Sequence, residues 1–536
     1  MALTVPLRRP PEWTTFDVSD DDLEFIVNTL MEREIPLTTR EMALALLVER
    51  LERARREEAR AAEVQEAAYR PAEAYGVGAR LLFPAMGGAR GQVVEVRPGS
   101  NPAFEPFDVI GVAMEPDGAR REFAARLAGH ALNELPPAEE QPAWQTDPEA
   151  VLERHGPAIE ARLHERLARE SEIVRIAGRW FPRALIAEIH SGHLNLAEAV
   201  LDVAEGGPLP TTSLLEHVEL PPSVDPLLAA FSLDYAMQED ERFDEVGPAG
   251  QVLWFLRRLE PPEVLYAPPR LVLNDPAHDR ARLTPELQRL EGALDDEFGP
   301  APEPGPAAGD VDEAVVPLLF PHWRVGTLPL SPTLQPFFPT AYESPRIRFI
   351  LVDGHSGETF PCWVARSERY VTGLEAWYRK YEVPAGGLVR VRRGQAQGEV
   401  VVEAVDRRRR NDWIRTVSIG DSGQIGFSML KQPVGCAYDD RMIVGLADAV
   451  ALDEAWLRGE QRRLNVERLV AHVFRELAKL NPQSAVHAQS LYSGVNVLRR
   501  MSPGPIFAEL VSRPYYAHVG DDYWRLDDTA SPEGGA

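Results

Sequence analysis

Cysteines, long apolar runs and secretion signals are scarce or missing in this sequence. Cys362 and Cys436 are the only cysteines among 536 residues, which is too few for a disulfide framework or a zinc site built on thiolates. No run of about 18 apolar residues is present, so the sequence predicts no transmembrane helix. The N-terminal residues MALTVPLRRPPEW lack the apolar core of a signal peptide. We therefore expect a cytoplasmic protein with reduced thiols and no contact with a membrane.

Motifs that mark common enzymes are missing as well. The sequence has no P-loop, no HExxH zinc motif, no CxxC pair and no GxSxG nucleophile elbow. The run Gly420-Asp421-Ser422-Gly423 is similar to the nucleophile loop of serine proteases, but the matching histidine and aspartate motifs are missing. We expect no enzymatic activity, no cofactor and no metal, and we keep a hydrolase that uses Ser422 only as a third alternative.

Lysine is also scarce. Lys380, Lys431 and Lys479 are the only lysines, so 54 of the 57 basic residues are arginine, and 83 acidic residues give a net charge of −26. Such an acidic chain repels a polyanion unless its positive charge is concentrated in one place. Because the composition is typical of a GC-rich genome, arginine alone is weak evidence for a phosphate site.

The best-defined pattern lies in residues 192–260. Apolar residues recur at helical spacing from Leu194 to Leu201, and a Gly-Gly-Pro sequence ends that helix. Two further helices are predicted, the first beginning near Thr211 or Thr212. The period then changes to two, which predicts strands at 243–246 and 251–256 around a Gly-Pro-Ala-Gly turn. Three helices followed by a hairpin are typical of a winged helix-turn-helix.

The residues of this segment resemble the HARE-HTH family of winged helices. The matching stretches are LNLAEAVLD, GGPLPTTSLLEHV and DERFDEVG, followed by Trp254 in the wing. This domain occurs at the N-terminus of the RNA polymerase delta subunit and in some chromatin and restriction proteins. The resemblance implies DNA binding or association with a polymerase. An unrelated three-helix unit that ends in a hairpin is the alternative.

The N-terminal part is divided by composition into three segments. Residues 1–50 are predicted to be helical, and they are either a helix-turn-helix without a wing or a plain helical hairpin. Their sequence Pro36-Leu37-Thr38-Thr39 is similar to Pro208-Leu209-Pro210-Thr211-Thr212. Residues 51–72 interleave glutamate with arginine and predict an exposed helical spacer. Residues 73–133 predict a small β-barrel of the Tudor or Src-homology kind, whose members bind peptides, RNA or polymerase surfaces.

The middle of the chain contains a predicted linker and a second β module. A helical lead-in joins the winged unit in one predicted domain, 145–262, and the proline-rich, acidic residues 295–315 predict a disordered linker. Residues 316–415 predict a β-barrel. Their LPL segment, strand pair and GLEAWYRKYEVPAGG run resemble the DNA-binding pseudobarrel of plant transcription factors and some restriction enzymes. That resemblance implies reading of the major groove by strand edges and loops. Residues 416–463 are expected to be a connecting region.

The C-terminal residues 464–526 predict a second winged-helix-like unit. Their ending YYAHVGDDYWRL is similar to RFDEVGPAGQVLWFL in the first unit, so Trp254 and Trp524 should occupy equivalent positions in an internal repeat. The chain is thus expected to be a multidomain α+β protein of winged helix-turn-helix units combined with small β-barrels.

Charge separates the two central modules. Residues 219–245 contain eight acids and one base, whereas residues 346–415 contain fourteen bases, nine acids and five interleaved aromatic residues, Tyr370, Trp377, Tyr378, Tyr381 and Trp413. Bases interleaved with aromatics are typical of a nucleic-acid surface, although a solvated arginine face over core aromatics is the alternative. The candidate nucleic-acid-binding residues are Arg366, Arg369, Arg379, Lys380, Arg390, Arg392, Arg393, Arg407, Arg408, Arg409, Arg410, Arg499 and Arg500.

The sequence therefore favours a DNA-binding or transcription-associated protein that is not an enzyme. DNA or RNA is expected to bind the basic module, and RNA polymerase or another protein is expected at the acidic winged unit. The alternative function is an acidic protein-interaction scaffold that makes no contact with nucleic acid.

Overall fold

A computed structural model of the chain describes residues 5–7, 13, 16–63, 67–86, 88–115, 118–134, 144–300, 312–395, 399–406, 408–420, 424–458 and 464–527. The chain is a mixed α+β protein in which a curled, open seven-stranded sheet accompanies several smaller sheets. Backbone contacts divide it into two compact units, Met1–Arg175 with Arg179–Leu185, and Ile176–Gly178 with Ile186–Ala536.

The first unit combines a helical core with a five-stranded sheet. Its elements are β1 (Val5–Leu7), α1 (Asp20–Arg33), β2 (Leu37–Thr38), α2 (Thr39–Glu63), β3 (Ala67–Ala68), β4 (Arg80–Phe83), β5 (Ala89–Pro98), β6 (Asp108–Met114), β7 (Arg120–Ala125), β8 (Trp144–Thr146), α3 (Pro148–Leu167), β9 (Ile173–Ile176) and β10 (Arg179–Pro182). Strands β2, β10 and β9 form a sheet with β10 in the middle, β3 to β7 form the five-stranded sheet in sequence order, and β1 pairs with β8. Ser19 caps α1.

Two boundaries in this unit differ from the sequence-based expectation. Helix α2 is continuous through the start of the predicted spacer, and Leu51 is fully buried in the core. Helix α3 shares its core with α1 and α2 around Leu47, Ile159 and Leu163, so the predicted lead-in to the central winged unit belongs with the N-terminal helices. The five-stranded sheet therefore lies in sequence between the second and third helices of one helical module. Local periodicity does not reveal an insertion of this kind.

The second unit begins with a three-helix module that ends in a hairpin. Its elements are α4 (Ser191–Val203), β11 (Leu209–Pro210), α5 (Thr211–Leu215), α6 (Pro226–Gln238), β12 (Phe243–Glu245) and β13 (Leu253–Leu256), and β13 lies between β11 and β12. Leu201, Leu233 and Trp254 pack at the centre of its core. Gly207 has φ +108°, and a Cβ there would lie 2.6 Å from the carbonyl oxygen of Trp254, so the close packing of the α4–β11 turn on β13 requires glycine.

The curled seven-stranded sheet follows two short helices. The elements are α7 (Pro262–Leu265), α8 (Pro285–Ala293), β14 (Glu313–Pro317), α9 (Phe320–Val325), β15 (Thr327–Pro329), β16 (Arg346–Asp353), β17 (Thr359–Ala365), β18 (Tyr370–Thr372), α10 (Glu375–Lys380), β19 (Leu388–Arg393) and β20 (Val400–Ala404). The strand order is β14-β19-β20-β16-β17-β18-β15, and among the described residues of this sheet β16 and β20 pair in parallel whereas the other neighbours are antiparallel. Alternate residues such as Ile347, Leu351 and Val391 are buried with Trp377 of α10.

A long hairpin comes next and crosses a predicted boundary. It consists of β21 (Arg410–Ile419) and β22 (Ile425–Val434), and β23 (Gly445–Leu446) pairs with β21 before helix α11 (Ala449–Arg458). The seven-stranded sheet ends at Ala404, so the predicted barrel limit at residue 415 falls inside β21. The expected connecting region, 416–463, contains the last four residues of β21 and all of β22.

The C-terminal module repeats the order of elements seen at 191–256. Its elements are α12 (Val466–Ala478), β24 (Ala485–His487), α13 (Ala488–Leu498), α14 (Pro503–Ser512), β25 (Tyr516–Gly520) and β26 (Tyr523–Leu526), with β26 between β24 and β25. All residues of α13 except Ser490 are buried. This helix is therefore the innermost element of the second unit's largest core.

The same tryptophan position occurs in three modules. Trp180, Trp254 and Trp524 are each the second residue of the middle strand, and they pair with Leu37, Leu209 and Val486. The indole N–H of Trp180 donates to the hydroxyl of Thr39 at 3.0 Å. Trp254 donates to Asp234 at 2.8 Å, and Thr211 donates to the same carboxylate. Ala488 follows Val486 at the position of these threonines, and the buried indole nitrogen of Trp524 has no hydrogen-bond partner among the described residues.

The expected disordered linker at 295–315 is ordered at its start. Asp295 accepts hydrogen bonds from Ser331 and from the amide of Thr333, and Asp296 and Glu297 are buried. Residues 301–311 lie outside the described part of the chain, and β14 begins at Glu313. The linker expectation is therefore wrong for 295–299. An acidic segment is expected to be exposed only if no buried basic residue elsewhere in the chain pairs with its carboxylates.

That counter-charge is Arg500. Its guanidinium has no exposed surface, and it contacts Asp296 and Glu297 at 2.7 Å each. Glu297 also bonds the ring of His322 on α9 at 3.0 Å, and Tyr492 of α13 donates to Asp296. Burial opposes ionisation of both carboxyls; Arg500 and His322 nevertheless lower the pKa of Glu297, whereas burial keeps the pKa of Asp296 raised. One buried cation thus joins the 295–298 segment, α9 and the C-terminal module.

Arg500→Met should strongly destabilise the C-terminal module, because two buried carboxyls lose their cation. Loss of one partner of a buried ion pair costs about 3–5 kcal/mol, so amide exchange of α13 in the full chain should accelerate about 100-fold or more. Hydrogen exchange followed by mass spectrometry measures this. Arg525→Met, at an exposed position of the same module, is the matched control and should change exchange little. Unchanged protection of α13 in Arg500→Met would contradict the role given to Arg500.

Candidate nucleic-acid interface

Five of the predicted basic residues are used to hold the fold together. Arg500 is fully buried, so its inclusion among the candidate nucleic-acid-binding residues is corrected: its charge is already matched by Asp296 and Glu297. The other four donate to backbone carbonyls, Arg366 to Ser344, Arg369 to Glu297, Arg393 to Pro336 and Arg499 to Leu464. These five residues come from different parts of the second unit, such as the end of β19 for Arg393 and the end of α13 for Arg499.

Four more predicted residues are paired with acids around the seven-stranded sheet. Arg390 and Arg392 share Glu403 at 3.4 and 3.0 Å. Lys380 contacts Asp353 at 2.9 Å and also pairs with Glu358, and Arg379 pairs with Glu375 at 2.5 Å. Burial opposes ionisation of Asp353, but hydrogen bonds from Tyr381 and Lys380 lower its pKa. Because these four bases are paired with acids, the seven-stranded sheet has less unpaired positive charge than the count of bases in residues 346–415 suggests.

The predicted aromatic residues separate into core and surface. Tyr370, Trp377, Tyr378 and Tyr381 are each at most 4% exposed. Burial raises the pKa of Tyr378 well above its ordinary value, as expected for a phenol inside the core. These four rings cannot stack on a ligand in this fold. Trp413 differs from them, because it is 65% exposed.

Trp413 lies on the long hairpin among basic residues, and this is where the structure brings predicted residues together. Arg408 and Arg409 precede β21, and Arg410 is its first residue. Trp413 pairs with Lys431 of β22, and both side chains are exposed. We call Arg408, Arg409, Arg410, Trp413 and Lys431 the hairpin surface. Arg407, the remaining predicted residue, lies outside the described residues.

The acids near the hairpin surface hold its arginines loosely. Arg409 lies 3.0 Å from Glu382, and its side chain is 71% exposed. Arg410 lies 2.6 Å from Asp412 with 54% exposure, and it also stacks on the ring of Tyr438 at 5.1 Å. Exposed ion pairs of this kind contribute about 0–1 kcal/mol each. A phosphate can therefore replace the carboxylate partner at little cost.

A cavity of about 460 Å³ opens on the Trp413 face of the hairpin. Its size is within the range of about 300–1,000 Å³ usual for ligand pockets. Trp413 and Met429 of the hairpin line it together with Tyr523 of β26. The remaining lining residues are Ile414, Arg415, Tyr438, Asp440, Arg441, Ile443, Leu477, Leu480, Asn481, Val486, His487 and Ser490. Aromatic rings and hydrogen-bonding side chains thus meet in one concave site.

Two of the groups that line this cavity are buried and titratable. Arg415 is 8% exposed and donates to the carbonyls of Asp440, Arg441 and Ile443. No carboxylate lies within ion-pair distance of it among the described residues, and burial lowers its pKa to about 10. Burial, and secondarily Arg441, lowers the pKa of His487 to about 4. At pH 7 His487 is therefore neutral and Arg415 is charged, and Asp440 and Arg441 also line the cavity.

Sequence reasoning missed Lys431, Tyr438, Arg441 and Tyr523 as members of this site. Lys431 meets Trp413 only through the ten-residue register of the hairpin, and Tyr523 comes from another module. The sequence contained a signal for Lys431. Two strands with alternating side chains around a Gly-rich turn predict a hairpin in which Trp413 and Lys431 share a face.

The acidic module at 191–256 packs its β12–β13 hairpin against the seven-stranded sheet. Arg346 pairs with Asp244 and lies 4.0 Å from Glu260. Phe255 packs edge-on against Trp363 at 5.3 Å, and the amide of Arg348 donates to the carbonyl of Val246 at 2.8 Å. Acids and bases that appear as separate segments in the sequence therefore meet at this contact. Part of their opposite charge is neutralised inside the protein.

The third helix of the acidic module has no open face at its middle. Phe231, Ser232, Leu233 and Asp234 are four consecutive buried residues of α6, whereas a helix lying on a surface exposes about half of its turn. The corresponding helix of a winged helix-turn-helix is the usual groove reader. This observation and the surrounding acids argue against insertion of α6 into DNA.

The described residues contain no cluster of three or more metal-ligating side chains, and among them no helix is both long and apolar enough to cross a membrane. Ser422 lies outside the described residues. Both cysteines are buried and free, and burial raises the pKa of Cys436 to about 11, so neither is an activated thiolate. Comparison of the chain with known protein families, with curated proteins and with solved structures found no match.

The acidic module should lose stability around its β12–β13 hairpin as the pH rises from about 5 to 8. Burial raises the pKa of Asp234 to about 6 and those of Glu245 and Glu260 to about 8, and Asp244 contributes at Glu260. In the unfolded chain these carboxyls ionise near pH 4, whereas in the folded chain they stay protonated to higher pH. Stability therefore falls as the pH rises above about 4, until the folded carboxyls ionise as well. Amide exchange of β12 and β13, corrected for intrinsic rates, should reveal weaker protection at pH 8 than at pH 5.5.

Glu245→Gln should reduce this pH dependence, because the amide cannot ionise. Glu241→Gln, which changes an exposed acid of the same module, is the control and should leave the dependence as it is. Equal protection at the two pH values in the wild-type chain would contradict the prediction.

Proposed function

We propose that this protein binds nucleic acid, DNA or RNA, at the hairpin surface and is not an enzyme. The observation that carries the proposal is Trp413, an indole 65% exposed on a regular strand with three arginines before it and a lysine opposite. A large exposed aromatic residue among cations is the combination that stacks bases and contacts phosphates. Because the whole chain has a net charge of −26, a polyanion is attracted only where cations are concentrated.

We further propose that the modules around 20–182, 191–256 and 466–526 are three winged helices. Their shared order of helix, strand, two helices and hairpin supports this, as does the position of the last strand in the middle of each sheet. The recurring tryptophans support it as well. In each module the tryptophan lies opposite a strand residue that is two positions before the start of the second helix, at Thr39, Thr211 or Ala488. In this proposal a five-stranded sheet has been inserted into the first winged helix.

These winged helices act mainly as a scaffold in the proposed function. Their second or third helices are buried, as the middle of α6 and nearly all of α13 illustrate. The seven strands and two short helices of residues 313–404 support the resemblance to the DNA-binding pseudobarrel. Its arginines are paired with acids, however, so the adjoining hairpin offers the more available cations. A role in transcription is part of this proposal and rests on the two resemblances.

A second function is favoured by a different surface. Leu196 and Val203 are 47% and 89% exposed on the outer face of α4, with the acids Glu198, Asp202 and Glu205 around them. An apolar stripe bordered by acids fits a basic amphipathic segment of a protein partner, such as RNA polymerase. The protein is then an interaction scaffold, and the hairpin surface has no role in binding.

Replacing Arg408, Arg409 and Arg410 together with alanine should weaken binding to nucleic acid and its dependence on salt. Each phosphate contact contributes about 0.9 to the slope of log affinity against log salt on duplex DNA and about 0.7 on single strands. The triple variant should therefore lose about 2 to 3 units of slope, with base preference almost unchanged. Fluorescence anisotropy titrations at four salt concentrations provide both quantities.

The matched control replaces Arg282, Arg289 and Arg525, which are exposed and lie elsewhere in the second unit, so the change in net charge is identical. This control should keep the wild-type slope. Equal slopes for the two triple variants, or no binding by the wild-type chain at low salt, would rule out the hairpin surface and favour the interaction scaffold.

A further inference from the structure

The orientation of Trp413 restricts the kind of nucleic acid that fits the hairpin surface. Its indole projects from the strand on the side of the 460 Å³ cavity, and it lies beside Met429 in the cavity wall. Bases in a duplex are paired and stacked on each other, so an aromatic side chain can stack on a base only where that base is unpaired. A stacking site inside a cavity therefore requires a base that has left any helix.

The cavity contains hydrogen-bonding groups suited to the edge of a base. Arg441, Asn481, His487 and Ser490 line it together with Tyr438 and Tyr523. His487 accepts a hydrogen bond from the amide of Gln489 at Nδ1, which leaves the protonated nitrogen of the neutral ring at Nε2 as a donor. Arg441 also lines the cavity, and its guanidinium is a donor for the carbonyl oxygens and ring nitrogens that bases present.

Two cations lie close to Trp413 or to the cavity. Lys431 lies directly across from Trp413, so the two side chains share one face of the hairpin. Arg410 is three residues from Trp413 and starts from the opposite face of β21, but its guanidinium stacks on Tyr438, which lines the cavity. A nucleotide whose base enters the cavity therefore has Lys431 and Arg410 available for the phosphates next to it.

We propose that this cavity receives one unpaired nucleobase stacked on Trp413, so that the ligand is single-stranded DNA or RNA. This inference rests on the proposed nucleic-acid function and specifies the substrate class of that site. The arginines contribute affinity for any phosphate backbone, whereas Trp413 distinguishes single strands from duplexes.

The test compares four labelled probes with the full chain by fluorescence anisotropy. The probes are a mixed-sequence single-stranded DNA, the corresponding single-stranded RNA, the DNA duplex of the same sequence, and a DNA backbone of abasic nucleotides. At least one of the two base-bearing single strands should bind more tightly than the duplex and the abasic strand, and the stronger of the two identifies the preferred sugar. Trp413→Ala should weaken single-strand binding about 5- to 150-fold, the equivalent of about 1–3 kcal/mol for one stacked base.

Two further variants separate stacking from folding. Trp413→Phe keeps an aromatic face and should recover most of the affinity, and Tyr266→Ala removes another exposed aromatic residue, 76% exposed, and should have no effect. Trp413→Ala should leave duplex and abasic binding unchanged. Equal losses of duplex and single-strand affinity, or no loss at all, would overturn the inference. Binding of the duplex that depends on Arg408 to Arg410 but not on Trp413 would overturn only this inference, whereas failure of every probe to bind would overturn the proposed function itself.

Discussion

The buried guanidinium of Arg500 is the constraint on which the second unit depends. It faces two carboxyls, Asp296 and Glu297, in a region with no exposed surface, and removal of one partner from such a cluster leaves unpaired charge in a medium that solvates it poorly. Because the acids come from the segment after α8, and His322 comes from α9, the cluster fixes where the C-terminal module lies relative to the seven-stranded sheet. The cavity is lined by the hairpin, by residues 438–443 and by the C-terminal module, so its geometry depends on where that module is held.

Internal neutralisation explains why charge counts along the sequence are poor guides to ligands here. Arg346 is one of fourteen bases in its segment, but it pairs with Asp244 from the acidic module, and Glu403 neutralises two arginines at once. Arg409 and Arg410, at the start of the hairpin, pair with acids only at the surface, and the pair between Arg379 and Glu375 is exposed as well. Availability, rather than number, determines which basic residues can bind a phosphate.

The sequence predicted local elements well and long-range relations poorly. The helices, the proline turn and the hairpin with Trp254 in residues 192–260 follow from local sequence patterns. The similarity between the C-terminal sequences of the two modules predicted equivalent positions for Trp254 and Trp524, and both are the second residue of the middle strand. Nothing local indicated that α3 and Trp180 complete a module begun at Asp20, since the five-stranded sheet lies between α2 and α3 in the sequence. The buried state of Arg500 was equally hidden, because its partners are about 200 residues away. Of the candidate site, sequence reasoning found Trp413 and the arginines, but Lys431, Arg441 and Tyr523 join them only in three dimensions.

Photo-crosslinking of the full chain to a single-stranded oligonucleotide that carries 5-iodouracil tests the central claim most directly, because it reports the position of the bases without any substitution in the protein. The account predicts that crosslinked peptides, identified by mass spectrometry, contain Trp413, Tyr438 or Tyr523, the aromatic residues of the 460 Å³ cavity. Crosslinks confined to residues 191–256, or spread evenly over the surface, would contradict it.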